Sequence, residues 1–345
     1  MTVSELSEAE LVARIRTRLQ PPPDWLAVGI GDDAAVVAPE RNRLEVLSVD
    51  ALVEGVHFDR RFTPPDAIGH RALAVNLSDL AAMGAAPRLA LLSLALPSTL
   101  ACEDFDAIVA GLAALAARYR LHLVGGNLTR SPGPLVIDVT VVGTAKRRQV
   151  MTRGGARAGD ELYVSGTLGA AAAGLQMLTA RSQADGSADA RREAAGGCAR
   201  RYLYPEPRVR LGLLLARNRA ASACMDLSDG LADGVHQIAA ASGVGAVIDA
   251  EALPIDPEAR RWFEARPPGD HPDPLLQAVT GGDDYELLFA VRPRLRRRLQ
   301  AAGQHGQVPF TRVGVCTSGG AVLLRRGAGA TATEQPMPPG YRHFR

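Results

Sequence analysis

The feature of this sequence that most restricts its possible folds is the repeated placement of aspartates beside glycine, serine and apolar residues. Gly29-Ile30-Gly31-Asp32-Asp33 stands just before the apolar run at 34–37, and the same theme recurs along the chain. The other aspartates of this kind are Asp50, Asp79, Asp226, Asp229, Asp283 and Asp284. A carboxylate beside an apolar run is costly unless solvent or a cation meets it. The sequence therefore predicts that these aspartates meet water or a cation.

Two interpretations stay open for each of these aspartates alone. A single aspartate in such a position is as often a helix cap or a turn residue as it is a ligand. Oxygen ligands delivered singly from several elements are, however, what Mg²⁺ takes when it also holds phosphate oxygens and water. The set therefore favours a magnesium site that serves a phosphorylated substrate.

The length and composition predict a two-domain globular protein. The chain has 345 residues, of which 47% are hydrophobic and 22% charged, with a formal net charge of +2. Lys146 is the only lysine, and the arginines are scattered among acidic residues, which gives no nucleic-acid footprint. We therefore expect no nucleic-acid partner.

Cellular location is predicted from cysteine usage and targeting patterns. The four cysteines show neither metal spacing nor the density of a disulfide scaffold, which fits a reducing cytoplasm. No stretch approaches roughly 18 uncharged apolar residues, and the acidic N-terminal region lacks a signal-peptide pattern. We expect a soluble cytoplasmic protein without a membrane partner.

Three candidate ligands in the first half are expected to converge. The pattern predicts strands at 34–38 and 44–49, and Asp50, at the end of the second, lies near Asp33 if the two strands pair. A third strand runs into Gly125-Gly126-Asn127, which places Asn127 at a strand end close to the same point. Its amide oxygen can coordinate Mg²⁺, or it can satisfy the turn by an Asx-type hydrogen bond.

The first domain is predicted to cover residues 1–148. A strong helix is expected over 66–83, with Asp79 on it. Helices and strands alternate, but there are more strands than the crossover helices of a purely parallel sheet allow. This pattern predicts an α/β or α+β domain.

The second domain is predicted to cover residues 149–345. A glycine turn leads from a strand at 161–165 into a helix over 168–180, but it lacks the Gly-Lys-Ser/Thr ending of a P-loop. Residues 182–199 are polar and rich in Ala and Gly, and they predict a mobile loop.

Asp226-Leu227-Ser228-Asp229-Gly230 is predicted to begin a helix in this domain. Ser228 is expected to cap a helix that runs through Leu231, Val235 and Ile238. Asp226, Ser228 and Asp229 then cluster at a helix N-terminus, where a magnesium-bound phosphate also meets free N–H groups.

His57 lies in an irregular segment at 52–58. A lone histidine is more often a structural residue with a local partner than a functional one. Both interpretations remain open from the residues alone.

In their order along the chain, these motifs resemble those of the thiamine-monophosphate kinase family over nearly the whole length. The most specific matches are the eleven residues at 74–84 and the C-terminal Gly340-Tyr341-Arg342-His343-Phe344. The remaining matches are Gly-Ile-Gly-Asp-Asp at 29–33, Ser48-x-Asp50 with His57, Thr152-Arg153, Asp226 to Gly230, and Gly281-Gly282-Asp283-Asp284-Tyr285-Glu286-Leu287.

The resemblance implies an α+β two-domain fold shared with aminoimidazole ribonucleotide synthetase. The N-terminal domain would bind metal and ATP and would form a homodimer, and an α+β C-terminal domain would complete the ATP and substrate site. ATP is the implied co-substrate and several Mg²⁺ ions are the implied cofactor.

The resemblance also implies roles for individual residues. The implied metal ligands are Asp33, Ser48, Asp50, Asp79, Asn127, Asp226 and Asp229. The implied ATP contacts are Tyr119, Gly126, Arg153 and Ser228, and the implied substrate contacts are His57, Asp283 and Tyr341. Three positions depart from the family pattern: Asn127 replaces an aspartate, Val49 a threonine and Asp283 a glutamate.

The implied reaction transfers the γ-phosphoryl group of ATP to thiamine monophosphate, giving thiamine diphosphate and ADP. Two alternatives remain: an enzyme of the same fold with another acceptor, and a non-catalytic nucleotide or magnesium sensor. Among the former, selenophosphate synthetase needs an N-terminal catalytic Cys or selenocysteine, whereas the first cysteine here is Cys102. The hydrogenase maturation relative ends in a reactive Cys, and this chain ends in His343-Phe344-Arg345.

Overall fold

The computed structural model describes residues 1–184, 196–265, 273–327 and 329–340. It divides into two compact units. The first is Met1–Leu80 with Ala86–Arg147, and the second is Ala81–Ala85 with Arg148–Arg345.

The first unit is built on a four-stranded sheet. Its helices are α1 (Glu8–Arg16), α2 (Pro65–Ala82) and α3 (Cys102–Arg118), and its strands are β1 (Leu26–Val28), β2 (Val36–Val37), β3 (Leu44–Val53), β4 (Ala86–Pro97), β5 (His122–Ser131) and β6 (Val136–Ala145). The sheet has the order β3-β6-β4-β5, while β1 and β2 form a separate antiparallel pair. Only β4 and β5 are parallel.

The two faces of this sheet differ because side chains alternate along each strand. Val139 and Val141 of β6 are fully buried, and a Cβ atom on Gly143 of the same face would lie 3.1 Å from Leu80 of α2. Helix α2 therefore covers this face. The opposite face exposes large apolar residues: Leu47 is 65% exposed and Val49 56%.

The expected meeting of Asp33, Asp50 and Asn127 at strand ends is wrong in its geometry. β2 pairs with β1 and not with β3, so the strand that follows Asp33 does not pair with the strand of Asp50. β3 continues to Val53, because β6 offers it ten residues of register, so Asp50 lies within the strand.

Asn127 likewise lies within β5, and β3 and β5 are the two opposite edges of the sheet. Asp50 is in register across the sheet with Val139, Leu92 and Gly126. Asn127 is one residue further along β5, so it is not in register with Asp50. Three strand spacings of about 4.8 Å separate the two edges by about 14 Å.

Helices α2 and α3 cross at two glycines. A Cβ atom on Gly69 of α2 would lie 1.8 Å from the carbonyl oxygen of Ile108, and one on Gly111 of α3 would lie 2.0 Å from that of Asp66. Both distances are far inside van der Waals contact. The two backbones therefore touch directly, and only glycine fits at either position.

The second unit contains a mixed seven-stranded sheet. Its strands are β7 (Glu161–Ser165), β8 (Ala223–Asp226), β9 (Gly245–Asp249), β10 (Leu287–Val291), β11 (Phe310–Thr317), β12 (Val322–Arg326) and β13 (Thr333–Pro336). Their order is β13-β12-β9-β11-β7-β10-β8, with β12 and β9 parallel and the other neighbours antiparallel. The helices are α4 (Ala170–Ala184), α5 (Gly197–Leu203), α6 (Val209–Asn218), α7 (Leu231–Ser242), α8 (Pro257–Glu264), α9 (Pro274–Thr280) and α10 (Arg296–Gly306).

The core of the second unit lies between this sheet and α7. Leu162, Val164 and Leu288 of the sheet are fully buried in one cluster with Val235 and Ile238 of α7. The loop predicted at 182–199 is only partly described: residues 182–184 belong to α4, 197–199 belong to α5, and 185–195 lie outside the described residues. No helix of the described residues is long and apolar enough to cross a membrane.

The glycine crossing of α2 and α3 generates a stability prediction. We expect Gly69→Ala to lower the free energy of unfolding by about 1–3 kcal/mol, because the added methyl group forces the helices apart. Gly133→Ala is the control, since a Cβ atom there would meet nothing within 4 Å. Urea denaturation followed by circular dichroism measures both changes, and equal stabilities for the two variants would contradict the assignment.

Candidate functional site

In the first unit, three of the predicted oxygen ligands lie on one face of β3 and on α2. Ser48 and Asp50 are two residues apart in β3, on the face towards which their β6 partners Val141 and Val139 are buried. The Ser48 hydroxyl donates a hydrogen bond to Oδ2 of Asp79. The structure thus joins β3 and α2 through two of the predicted ligands.

Asp33 lies elsewhere in the first unit, in the turn that follows β1. It is exposed, and its backbone N–H donates to Oδ1 of Asp32 at 2.9 Å. No group of three or more His, Cys, Asp and Glu side chains gathers into a metal site within the residues that the structure describes.

The predicted ATP contacts of the first unit lie at the end of α3 and in β5. Gly126 has a packing reason to be glycine, because a Cβ atom there would lie 1.9 Å from the carbonyl oxygen of Leu92 in the neighbouring strand. Tyr119 is the C-terminal cap residue of α3, and the guanidinium carbon of Arg118 lies 5.5 Å from its ring centroid.

His57 is held by its own loop. The backbone N–H of Val53 donates to Nδ1 of His57 at 3.1 Å, and the N–H of His57 donates to the carbonyl oxygen of Val53 at 2.9 Å. Because Nδ1 accepts a hydrogen bond, the proton of the neutral ring is on Nε2. Nδ1 is therefore not available as a base in this arrangement.

In the second unit, the segment Asp226 to Gly230 pairs with the segment 281–286. The N–H of Asp283 donates to the carbonyl oxygen of Ser228 at 2.7 Å, and that of Tyr285 donates to Leu227 at 3.0 Å. The N–H of Leu227 donates in turn to Glu286 at 2.8 Å. Two stretches that the sequence separates by more than fifty positions are thus fixed against each other.

This pairing holds two residues in the left-handed region of backbone space. Asp283 has φ 70° and Tyr285 has φ 50°. Such angles are uncommon outside glycine and cost free energy that the surrounding contacts must offset. The Tyr285 hydroxyl donates to Oδ1 of Asp283 at 3.1 Å, which orients the carboxylate.

The predicted cap of α7 by Ser228 is wrong. The N-cap residue is Gly230, at φ 90°, which has no side chain with which to cap the helix. Ser228 stands two positions too early, since its carbonyl oxygen is bound by Asp283 before the helix begins. The N-cap residue therefore offers no side-chain oxygen to the first-turn N–H groups of α7, and N–H groups at a helix N-terminus bind phosphate oxygens.

Arg153 is brought to the same helix through two residues that the sequence did not signal. Its Nη1 donates to Oε1 of Gln237 at 2.5 Å, and Nε2 of Gln237 donates to Asp233, one turn nearer the start of α7. Both residues look like ordinary polar positions of a helix, so no pattern distinguishes them.

The C-terminal segment reaches this helix as well. A Cβ atom on Gly340 would lie 2.4 Å from Cβ of Asp233 and 2.9 Å from the carbonyl oxygen of Asp229. Tyr341, the predicted substrate contact, follows directly but lies outside the described residues.

Two buried carboxylates, those of Glu286 and Asp284, hold the 281–286 segment in place. Both oxygens of Glu286 are bound, by Arg201 and Arg208 and by the hydroxyl of Ser165 at 2.6 Å. From the sequence, Glu286 was not singled out, and Asp284 was considered only together with Asp283. The residues that bind these two carboxylates lie in other elements, so no local pattern indicates them.

Asp284 accepts from the N–H groups of Gly169 at 2.7 Å and Ala171 at 3.3 Å, and so caps α4. Burial raises the pKa of Asp284 to about 7, although the Gly169 N–H group and the Arg201 guanidinium act to lower it. The carboxyl group thus titrates near neutrality.

Comparison with known proteins identifies the class. Residues 31–145 match the family model of the AIR synthase related protein N-terminal domain, and residues 157–325 match that of the C-terminal domain. The fold class predicted from the sequence, α+β with two domains, is thereby confirmed.

Individual relatives narrow the class. The chain is 39% identical to the thiamine-monophosphate kinase of Escherichia coli K12, over 98% of both chains. It resembles the crystal structure of thiamine-monophosphate kinase from Stenotrophomonas maltophilia K279a with 40% identity and a TM-score of 0.78, over 92% of this chain and 96% of that one. A structure of AaThiL complexed with AMPPCP and TMP matches with 30% identity and a TM-score of 0.73, over 100% of this chain and 99% of that one. The chain belongs to the thiamine-monophosphate kinase family.

The raised pKa of Asp284 generates a pH prediction. Between about pH 4 and 7 the folded protein keeps this proton while the unfolded chain has lost it, so the contribution of Asp284 to stability falls as pH rises through that window. We expect wild type to lose up to about 1.4 kcal/mol per pH unit relative to Asp284→Asn, and nothing further above pH 8.

Chemical denaturation at pH 5.5 and pH 8 measures this difference. Asp24→Asn, at an exposed position, is the control and should follow the wild-type profile. A difference between wild type and Asp284→Asn that does not change with pH would contradict the prediction.

Proposed function

We propose that this chain transfers the γ-phosphoryl group of ATP to thiamine monophosphate, with Mg²⁺ as cofactor. The observation that carries the proposal is the paired arrangement of Asp226, Ser228, Asp229 and Asp283 at the N-terminus of α7, where the N-cap is glycine. The similarity to AaThiL complexed with AMPPCP, an ATP analogue, and TMP supports the same substrates for this chain.

The donor atoms fit Mg²⁺, which prefers hard oxygen ligands. We assign Ser48, Asp50 and Asp79 in the first unit, and Asp226 and Asp229 in the second, to metal binding. Every one of these donors is a hydroxyl or carboxylate oxygen, and the Ser48–Asp79 hydrogen bond shows that two of them approach each other closely. Asp33 and Asn127 stay proposed ligands, and Asn127 contributes an amide oxygen without charge.

Charge neutralisation is what Mg²⁺ supplies when bound. Two unit charges about 4 Å apart repel by roughly 4 kcal/mol even at an effective dielectric constant near 20. ATP and thiamine monophosphate are both anions, so the reaction needs several compensating cations.

The residues of the chain bind and align the two substrates. We assign the N–H groups at the start of α7, Ser228 and Arg153 to the ATP phosphates, since the helix N-terminus and the guanidinium both favour anions. Tyr119 and Gly126 are further proposed ATP contacts. Asp283, held by Tyr285, is assigned to the acceptor together with Tyr341.

The acceptor phosphate is itself an oxyanion near neutral pH, so the reaction requires no protein nucleophile and no general base. This agrees with the hydrogen bond that Nδ1 of His57 accepts from Val53. We therefore assign His57 to binding of thiamine monophosphate and not to proton transfer.

Kinetics of carboxamide variants test this proposal. We expect Asp226→Asn and Asp50→Asn to lower turnover by more than about tenfold at saturating Mg²⁺, which corresponds to about 1.4 kcal/mol. The matched control Asp24→Asn removes an exposed carboxylate and should keep wild-type turnover.

ATP turnover is measured with and without thiamine monophosphate and with and without Mg²⁺. Turnover that needs both would support the kinase. ATP binding without turnover would instead identify the chain as a nucleotide sensor, and turnover indifferent to thiamine monophosphate would mean a different acceptor.

We further propose that the first unit forms a homodimer through the exposed face of its sheet. Leu47, Val49 and Leu91 lie on this face, and the last of them is 40% exposed. Val49 of β3 and Leu91 of β4 are both in register with Thr140 of β6, so the three residues are neighbours across the sheet. Contiguous apolar surface of this kind marks an interaction site.

A charge on this face tests the dimer. We expect Leu47→Asp to convert a dimer into a monomer, because a buried unpaired carboxylate opposes association. Val36→Asp is the control, since Val36 is 52% exposed but lies in β2, outside the sheet. Light scattering after size exclusion gives the mass, and a Leu47→Asp dimer would contradict the proposed interface.

These assignments give each of the two domains a role. We assign the residues up to 148 to metal binding, ATP contacts and dimerisation, and those from 149 onwards to ATP and acceptor contacts. We also propose a cytoplasmic location, because the cysteine usage fits a reducing compartment. All four cysteines are free and buried thiols.

A further inference from the structure

A buried arginine in the first unit lacks a full set of partners. Arg88, at the start of β4, is only 9% exposed. Its Nη2 donates to the carbonyl oxygen of Ala38, and its guanidinium carbon lies 4.5 Å from the ring centroid of Trp25. Nη1 has no hydrogen-bond partner among the described residues. A buried, unsatisfied donor on a charged group is expensive, which points to a missing acceptor.

Arg88 lines a cavity of about 570 Å³ that none of the proposed active-site residues enters. The cavity lies between the turn at 38–43, the start of β4, the segment before β5 and the end of β6. Its lining consists of Trp25, Ala38, Pro39, Glu40, Arg41, Arg43, Ala86, Pro87, Arg88, Arg120, His122 and Thr144.

The charge of this lining is strongly positive. Four arginines face a single carboxylate, Glu40, which already binds Arg43 at 2.5 Å and accepts from the Thr144 hydroxyl at 2.7 Å. Arg41 and Arg120 make no side-chain hydrogen bond or ion pair with any described residue. Burial lowers the pKa of His122, so this ring adds no charge near neutral pH. The excess is three positive charges.

The cavity is separate from the proposed metal ligands of the same unit. Thr144, in its wall, lies three residues along β6 from Val141, the partner of Ser48. At about 3.3 Å per residue this is a separation of about 10 Å. Metal-bridged phosphate binding uses carboxylates, whereas this lining offers guanidinium groups, which bind phosphate directly and often in a bidentate manner.

We propose that this cavity is a metal-independent binding site for the phosphate group of a small molecule. Arg88 contributes its positive charge from the buried side of the lining, and Arg41 and Arg120 supply guanidinium N–H groups from the exposed side. The phosphate comes either from free inorganic phosphate or from a phosphate ester. Trp25 and His122, whose ring centroids are 5.6 Å apart, give an ester an aromatic wall to contact. This proposal does not depend on the kinase activity.

Equilibrium dialysis with radiolabelled orthophosphate tests the proposal. The full-length protein is used at low ionic strength with EDTA, so that no Mg²⁺ is present. We expect saturable binding of one phosphate per chain, and a weakening of about tenfold or more in the double variant Arg41→Gln/Arg120→Gln, which removes two charge-assisted hydrogen bonds. Both positions are exposed, so the variant should fold and keep wild-type turnover.

Arg130→Gln is the matched control. Arg130 is an exposed arginine of the same unit, eight residues along β5 from His122, which is about 26 Å. It should bind phosphate as wild type does, and so should Arg153→Gln, which alters a proposed ATP contact.

Phenyl phosphate, tested in parallel, separates the two sources. Tighter binding than orthophosphate assigns the site to a phosphate ester, and weaker binding assigns it to inorganic phosphate. Absence of saturable binding in wild type would overturn the proposal. So would an equal loss in Arg130→Gln, which would mean non-specific attraction, or an undiminished affinity in Arg41→Gln/Arg120→Gln.

Discussion

The arrangement of the second unit depends on the backbone hydrogen bonds between Ser228 and Asp283 and between Leu227 and Tyr285. They force Asp283 and Tyr285 into left-handed conformations, which the chain does not adopt without compensation. That compensation comes from the buried side, where Glu286 is bound by two arginines. A rigid, buried anchor thus holds a strained, polar edge, which is how a site keeps its geometry before substrates arrive.

Local sequence patterns were sufficient to predict a helix or strand wherever its own hydrophobic periodicity determines it. The helix expected over 66–83 is α2, Pro65–Ala82, and the apolar positions that predicted it, among them Ile68, Val75 and Leu80, are buried. The order of glycine and aspartate motifs also predicted the family, which the comparisons confirm. Fold class and family were therefore predictable.

Features determined by distant contacts were not predictable. Ser228 fails to cap α7 because its carbonyl oxygen is bound by Asp283, more than fifty residues later. Asp50 and Asn127 lie within strands, and not at their ends, because β6 and β4 extend the pairing on either side. The side chain of Arg153 reaches α7 through Gln237. In each case a hydrogen-bond partner that is remote in sequence overrides a local preference.

The first unit carries two sets of charge with opposite sign, and their separation decides whether they neutralise each other. Asp79 and Asp50 lie with Ser48, while Arg88 and Arg120 line a cavity whose wall includes Thr144, about 10 Å along β6 from the partner of Ser48. That separation is far beyond hydrogen-bond distance, and two unit charges attract across about 10 Å by roughly 1.7 kcal/mol at an effective dielectric constant near 20. The arginines therefore cannot replace a cation at the carboxylates, and the carboxylates cannot satisfy Nη1 of Arg88. The cavity therefore keeps its excess of positive charge, and an anion remains the ligand that its lining favours.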